Sequence, residues 1–303
     1  MSLRSHIATA ALLTLLGSAN CWAEPLGVIA AFDGVYRVDL ATRQATEIGL
    51  TGQYASQLIA VEGMAYSPDG TLYGVADNLK SLFRIDPNNG AASFVGPMGL
   101  SGEGQFSNLD TAFAITADGR AWLASAVVGK LWRIDLGTGT ASLVGDLGFK
   151  VSGLAARGNE LFAAGCRGDE GLYRVDLDTG AARLIGGFKK EIPYAPTISI
   201  GFDAQNQLWA VINYNPPQTN SGTFASWSDL ARVNVEAGTI ALTGSLTGPE
   251  SLRTIPVRGL SIAAPTAVAA TSDPVPAGGP IAIGLLALGL GIVGGLRLRR
   301  REC

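Results

Sequence analysis

One alternating phrase of apolar and polar side chains runs through the chain five times. It reads GVYRVDLATRQATEIG around Arg37, SLFRIDPNNGAASFVG around Arg84, KLWRIDLGTGTASLVG around Arg133, GLYRVDLDTGAARLIG around Arg174 and DLARVNVEAGTIALTG around Arg232. Within a copy, Tyr173 and Val175 alternate with Leu172, Arg174 and Asp176. A period of two is the pattern of a strand that buries one face. The Asp-x-x-Thr-Gly segment that follows predicts a turn, because the glycine supplies positive φ and the carboxylate accepts nearby backbone amides. Each phrase is therefore a hairpin. Asp176-x-Asp178-x-Gly180 also reads as a calcium loop, but the other copies keep one carboxylate and favour turn chemistry.

Upstream of most hairpins lies a second alternating pair: VEGMAYSPDGTLYGVA from Val61, DTAFAITADGRAWLAS from Asp110, VSGLAARGNELFAAG from Val151 and TISIGFDAQNQLWAVI from Thr197. Four strands per unit, with the arginines 41 to 58 residues apart, predict the blades of a β-propeller. The small residues Gly63, Ala112 and Gly153 suit an innermost strand crowded around the axis, and Tyr73, Trp122, Phe162 and Trp209 share a register suited to packing between blades. The first unit, LGVIAAFDGVYRVDL, lacks an innermost strand, whereas VRGLSIAAP from Val257 is a lone one after the fifth. Together they complete one blade and close the ring, which removes unpaired edges. The expected fold is an all-β, five-bladed propeller, with room for a sixth blade only in the longest spacing.

In such a ring the inter-blade connections share a face with the loops that join second to third strands. The long segments TGQYASQLIA, GLSGEGQFSN, KKEIPYAP, NYNPPQTNSGTFASWS and TGPESLRTIP all fall there, so this top face is the expected binding face. Its candidate ligand-binding residues are Tyr54, Glu62, Asp77, Phe106, Arg167, Tyr194, Asn213, Tyr214, Trp227 and Arg258, with Lys80, Asp169 and Phe224 nearby. Aromatic rings beside charged and amide groups suit stacking plus hydrogen bonding to glycan or protein, and aromatics in long loops equally suit packing of the loops themselves. At the channel mouth the reading places Glu62, Thr111, Ser152, Ile198 and Arg258, with Glu62 and Arg258 expected to pair.

Composition then narrows the chemistry. The only histidine, His6, lies outside the body, which removes histidine bases, Ser-His-Asp triads and histidine metal ligands from it. Cys21 and Cys303 lie at the ends and leave Cys166 alone, so the body is expected to fold without disulfides. The chain carries a net charge of −3, and the body is more acidic once Arg4 and the C-terminal arginines are set aside, which disfavours nucleic acid partners.

The two ends have their own patterns. Arg4, the apolar run IATAALLTLLGSA and Cys21-Trp22-Ala23 read as a secretory signal over 1–23, cleaved by signal peptidase before Glu24. The propeller is expected over 24–265 and a linker over 266–279. The apolar segment 280–296, 17 residues long, would extend about 25 Å as a transmembrane helix, and the basic tail 297–303 carries the stop-transfer residues Arg297, Arg299, Arg300 and Arg301. Val275, Pro276 and Pro280, followed by this run and the arginines, resemble the PEP-CTERM class of exosortase sorting signals, in a Val-Pro-x-x-x-Pro form without the acidic residue. The resemblance covers only the last thirty or so residues. It implies a membrane-anchored precursor that an exosortase-like membrane protease cleaves and passes to the cell surface or beyond.

These readings converge on an exported, non-catalytic propeller that binds glycan or protein and has no required cofactor. A metal-dependent propeller hydrolase or lactonase is the rival, which needs Glu62, Asp77, Asp110 and Asn213 to meet around a divalent cation such as Ca2+. A structural surface protein is the third reading.

Overall fold

The computed structural model describes residues 25–102, 107–214 and 228–263. It contains five four-stranded antiparallel sheets. The second blade comprises Val61–Tyr66, Leu72–Ala76, Ser81–Ile85 and Ala92–Pro97; the third Thr111–Ile115, Ala121–Ser125, Lys130–Ile134 and Ala141–Asp146. The fourth comprises Val151–Arg157, Glu160–Gly165, Gly171–Val175 and Ala182–Gly187; the fifth Thr197–Phe202, Leu208–Asn213, Asp229–Asn234 and Thr239–Ser245. In each, the first strand is the innermost, and these strands pack on one another around the axis.

The first blade is assembled from both ends of the propeller. Arg258–Ile262 is its innermost strand and pairs antiparallel with Leu26–Ala31, through Gly27 with Ile262, Ile29 with Leu260 and Ala30 with Arg258. Gly34–Asp39 and Ala45–Leu50 complete it. The chain is thus an all-β, five-bladed propeller closed by its C-terminal strand. Arg258 stands at the top of that strand, opposite Ala30, and Ile262 at its other end, opposite Gly27. The register shifts between Ile29 and Ala30 to accommodate Gly259, where an added Cβ would stand 2.9 Å from the Glu62 carbonyl oxygen.

The core follows from this ring. Five clusters of buried side chains each join two successive blades: Val28, Val35, Ile59 and Phe83 between the first and second; Tyr73, Phe113 and Trp132 between the second and third; Trp122, Leu154 and Leu161 between the third and fourth; Phe162, Ile198 and Leu208 between the fourth and fifth; and Trp209, Ile29 and Leu260 across the closure. The four rings of the shared register do pack between blades. Burial stabilises each interface by about 2 to 3 kcal/mol per ring. Phrase arginines lie over two of them, Arg84 5.7 Å from the Tyr73 ring centre and Arg232 4.7 Å from that of Trp209.

The turn reading holds in atomic detail. Asp135 Oδ1 accepts the amides of Gly137 and Thr138 at 2.8 and 2.9 Å, and Asp176 Oδ1 those of Asp178 and Thr179 at 3.0 and 2.9 Å. At the channel mouth the fifth blade differs from expectation: Thr197 lines the axis there, while Ile198 is buried in the inter-blade core. A hydrophobic β-branched residue gains more from that core than from a polar mouth.

Among the described residues no helix is long and apolar enough to cross a membrane. The secretory signal, linker, sorting motif, apolar run and arginine tail lie outside the described residues.

Candidate functional site

Six charged residues of the top face, Glu62, Asp77, Lys80, Asp110, Arg167 and Arg258, meet around the inner ends of the blades. Asp77 begins a single 3-10 turn, Asp77–Leu79, between the second and third strands of blade two. It is buried, and its Oδ2 accepts the amides of Leu109 at 2.8 Å and Asp110 at 3.3 Å, in the connection between blades two and three. Its Oδ1 lies 2.9 Å from Lys80 Nζ. Lys80 follows the turn in the left-handed region at φ 47°, Asp110 has φ 49°, and Arg167 has φ 54°. Three non-glycine residues at one mouth therefore share a backbone conformation that ordinary side chains rarely adopt.

Glu62, on the innermost strand of blade two, reaches toward blade three and toward the closing strand. Its Oε2 accepts the Thr111 amide at 2.9 Å, and its Oε1 lies 3.1 Å from Arg258 Nη1. The same guanidinium nitrogen is 3.1 Å from Asp110 Oδ1, so Arg258 stands between the two carboxylates. Asp110 Oδ1 also accepts Asn108 Nδ2 at 3.0 Å, while Asp110 Oδ2 pairs with Arg167, whose Nε donates to the Pro196 carbonyl at 3.3 Å. Residues from four blades are tied together here. The expected pairing of Glu62 with Arg258 is present, with Asp110 as a third member.

Protonation follows from burial and charge. Burial pushes the Glu62 carboxyl up to about 7; Arg258 opposes that rise, and the negative charges of Asp77 and Asp110 add to it. At Asp110 burial also works against ionisation, but Arg258 and Arg167 overcome it and hold the carboxyl below its usual range. Burial acts against the charge of Arg258 too, yet Glu62 and Asp110 hold its proton more tightly than usual.

Oxygens of Glu62, Asp77 and Asp110 lie within 4.8 Å of one another, a spacing that one hard cation could span. The surrounding donors do not fit a resident metal. Lys80 takes Asp77, Arg167 takes Asp110, and Arg258 is shared between Glu62 and Asp110, so three cationic side chains already match three carboxylates. A divalent ion would have to displace the guanidinium and would leave three positive groups beside it.

The other predicted residues are distributed around the face. Tyr54 lies in a small hairpin formed by Gln53–Tyr54 and Gln57–Leu58, and its ring stacks on Phe94 at 4.2 Å, close to parallel. Tyr194 is exposed in the connection between blades four and five. Asn213 is buried at the end of the second strand of blade five, in register with Thr197. Tyr214 packs against the core between blades four and five, and burial followed by Asp229 raises its hydroxyl to about 12. Asp169 Oδ2 accepts the Lys150 amide at 3.1 Å. Phe106, Phe224 and Trp227 lie outside the described residues.

Sequence reasoning missed Glu170. It is buried in the loop after Cys166, and its Oε1 accepts the amides of Gly168 at 3.0 Å and Ala195 at 2.9 Å, fastening that loop to the next inter-blade connection. The corresponding signal was an acidic residue at the end of an apolar strand, a position where burial demands backbone partners. Cys166 itself is buried, and burial pushes its thiol up to about 11.

No protein-family model matches the chain, and no curated protein matches it by sequence. Among solved structures it is similar to a chain in a crystal structure of a nidogen/laminin complex, at 12% identity and TM-score 0.49, over 78% of this chain and 98% of that one. It is also similar to a structural genomics protein of unknown function from Bacteroides thetaiotaomicron, at 15% identity and TM-score 0.48, over 61% and 53% of the two chains. A putative TolB from Agrobacterium tumefaciens is 16% identical with TM-score 0.40, over 74% of this chain and 70% of that one.

Proposed function

We propose that this chain is an exported β-propeller that serves as a non-catalytic binding module for glycan or protein, presented at the cell surface or outside it. The observation that carries the reading is Arg258, 3.1 Å from both Glu62 and Asp110. The acidic groups with the best geometry for chemistry are engaged by cations and backbone amides. The body also lacks histidine, which removes the commonest general base near neutral pH. The metal-dependent hydrolase reading draws support from the convergence of Glu62, Asp77 and Asp110, and meets its difficulty in the same guanidinium.

The ends of the chain supply the compartment in this proposal. Signal peptidase removes 1–23, and an exosortase-like protease processes the C-terminal signal. Intact-mass measurement of the surface-associated form tests the processing, and an arginine tail still attached would contradict it. Screening the secreted chain on glycan and protein arrays tests the module. Saturable binding without alteration of the ligand supports the reading; a ligand released as cleaved product overturns it.

A further inference from the structure

On the face opposite the mouth, a cleft of about 480 Å³ opens on blade four, lined by Asn159, Glu160, Arg174, Asp176, Leu177 and Arg183. Arg174 and Arg183 stand directly opposite each other on its third and outermost strands, so both side chains leave the same face of the blade. In the other blades the phrase arginine faces a small residue at this register: Arg37 faces Thr46, Arg84 faces Ser93, Arg133 faces Ser142 and Arg232 faces Ala241. Like charges directly opposed cost stability, so blade four departs from its own repeat with no gain to the fold, and such departures mark functional positions.

The charges of the cleft are unevenly engaged. Glu160 pairs with Arg174 and lies 3.0 Å from Arg157, which sits 5.2 Å from the centre of the Phe162 ring. Asp176 Oδ1 is held by its turn, accepting two backbone amides and the Thr179 hydroxyl at 2.8 Å. Arg183 is exposed and makes no ion pair or hydrogen bond among the described residues. Asn159 Oδ1 accepts the Asp118 amide at 3.0 Å, which leaves its Nδ2 to donate. The uncommitted groups are thus a guanidinium fork and an amide donor, beside the Leu177 side chain. A guanidinium fork matches a planar carboxylate bidentately. The cleft is larger than a carboxylate and takes the ring that bears one, whose hydroxyl and ring oxygens accept from Asn159. A uronate unites these features in one sugar residue, whereas an aspartate or glutamate side chain carries its carboxylate on a flexible stem with no further acceptor.

Resting on the binding-module reading above, we infer that this cleft takes the carboxylate of a uronate in an acidic glycan, with Arg183 as its principal contact and Arg174 beside it. The test uses the secreted chain, the variant Arg183→Ser, and Lys190→Ser as a control that removes an exposed positive charge in the connection between blades four and five. Serine is the residue that blades two and three carry at this register, so Arg183→Ser is expected to fold with a melting temperature that does not fall. Glucuronate and galacturonate are titrated at millimolar concentrations by ligand-observed NMR, with glucose, galactose, sodium sulfate and an aspartate-containing peptide in parallel. The expected result is saturable binding of at least one uronate, weakened about tenfold or more in Arg183→Ser and retained in Lys190→Ser, with the neutral sugars inert.

Uronate binding that Arg183→Ser retains overturns the inference, and so does an equal loss in Lys190→Ser. Neutral sugars bound as tightly as the uronates take the anion out of the recognition; sulfate or the peptide bound as tightly takes the sugar out of it. Either result overturns the inference, as does no uronate binding at all. A glycan or protein ligand from the arrays held equally well by wild type and Arg183→Ser overturns the cleft assignment and leaves the module standing. Failure of every ligand on the arrays overturns the module itself.

Discussion

Gly145, at the bulge in the outermost strand of blade three, lies against Thr179 in the turn of blade four: a Cβ built on Gly145 would stand 1.9 Å from the Thr179 carbonyl oxygen. The relationship repeats around the ring. Gly49 meets Asn89, Gly96 meets Thr138 and Gly186 meets Gly238, each a bulge glycine of one blade against the turn of the next. At the closure Gly244 lies against Arg43 instead, which adopts φ 65° where the other turns have glycine. The last glycine of each repeated phrase is thus an inter-blade contact.

Gly145→Ala is therefore expected to destabilise the propeller by about 2 to 3 kcal/mol, because neither backbone can yield without moving a blade. Gly148→Ala is the control. Its φ of 82° carries strain but no atom lies near its absent Cβ, so a loss of about 1 kcal/mol is expected. Denaturant midpoints of both variants, read beside wild type, check the difference.

Glu62 makes stability depend on pH in a predictable direction. Its folded carboxyl titrates near 7 against an ordinary value of 4.5, so the folded state binds its proton more tightly than the unfolded state. Its favourable contribution is complete below about 4.5 and is lost as pH rises through 7. Between pH 8 and pH 5 stability is expected to increase by on the order of 2 to 3 kcal/mol. Glu62→Gln should flatten that slope in denaturant titrations across the same range. Below this window the sign reverses, because Asp110 and Asp118 titrate below their usual range when folded and lose their contribution as they protonate.

Arg258→Met should cost about 2 to 3 kcal/mol at pH 8, since Glu62 loses its cation while Asp110 keeps Arg167. Adding Glu62→Gln to that variant is expected to restore most of the loss, because the stranded charge is gone. A double-mutant cycle of unfolding free energies measures this coupling directly.

The architecture was legible because each blade repeats one phrase, and because the terminal strands were each incomplete without the other. Periodicity reports which face a strand buries, so the rings at Tyr73, Trp122, Phe162 and Trp209 were placed between blades from spacing alone. The mouth was less legible. Asp77 and Asp110 come from a turn and an inter-blade connection, and only the ring brings them beside Glu62. Loop composition also did not distinguish a free aromatic from a packed one, as Tyr54 on Phe94 illustrates. Ile198 was set one position from the mouth residue Thr197 because a one-residue register change exchanges the two faces of a strand.

Cys166 offers a reporter of the closed ring. Burial and a thiol raised to about 11 leave it with little thiolate at neutral pH. In the chain from Glu24 to Ala264, where it is the one thiol, alkylation by iodoacetamide is expected to be negligible in native buffer and to accelerate in step with global unfolding. Mass spectrometry along a denaturant series follows it. Rapid labelling in native buffer would show that the blade-four loop opens on its own.

The Arg258 guanidinium fills the place between Glu62 and Asp110, and metal content tests that arrangement most directly. Elemental analysis of the secreted chain, after equilibration with calcium and removal of free ion, should find no stoichiometric divalent metal, in wild type as in Glu62→Gln. One divalent ion per chain in wild type that disappears in Glu62→Gln would contradict it.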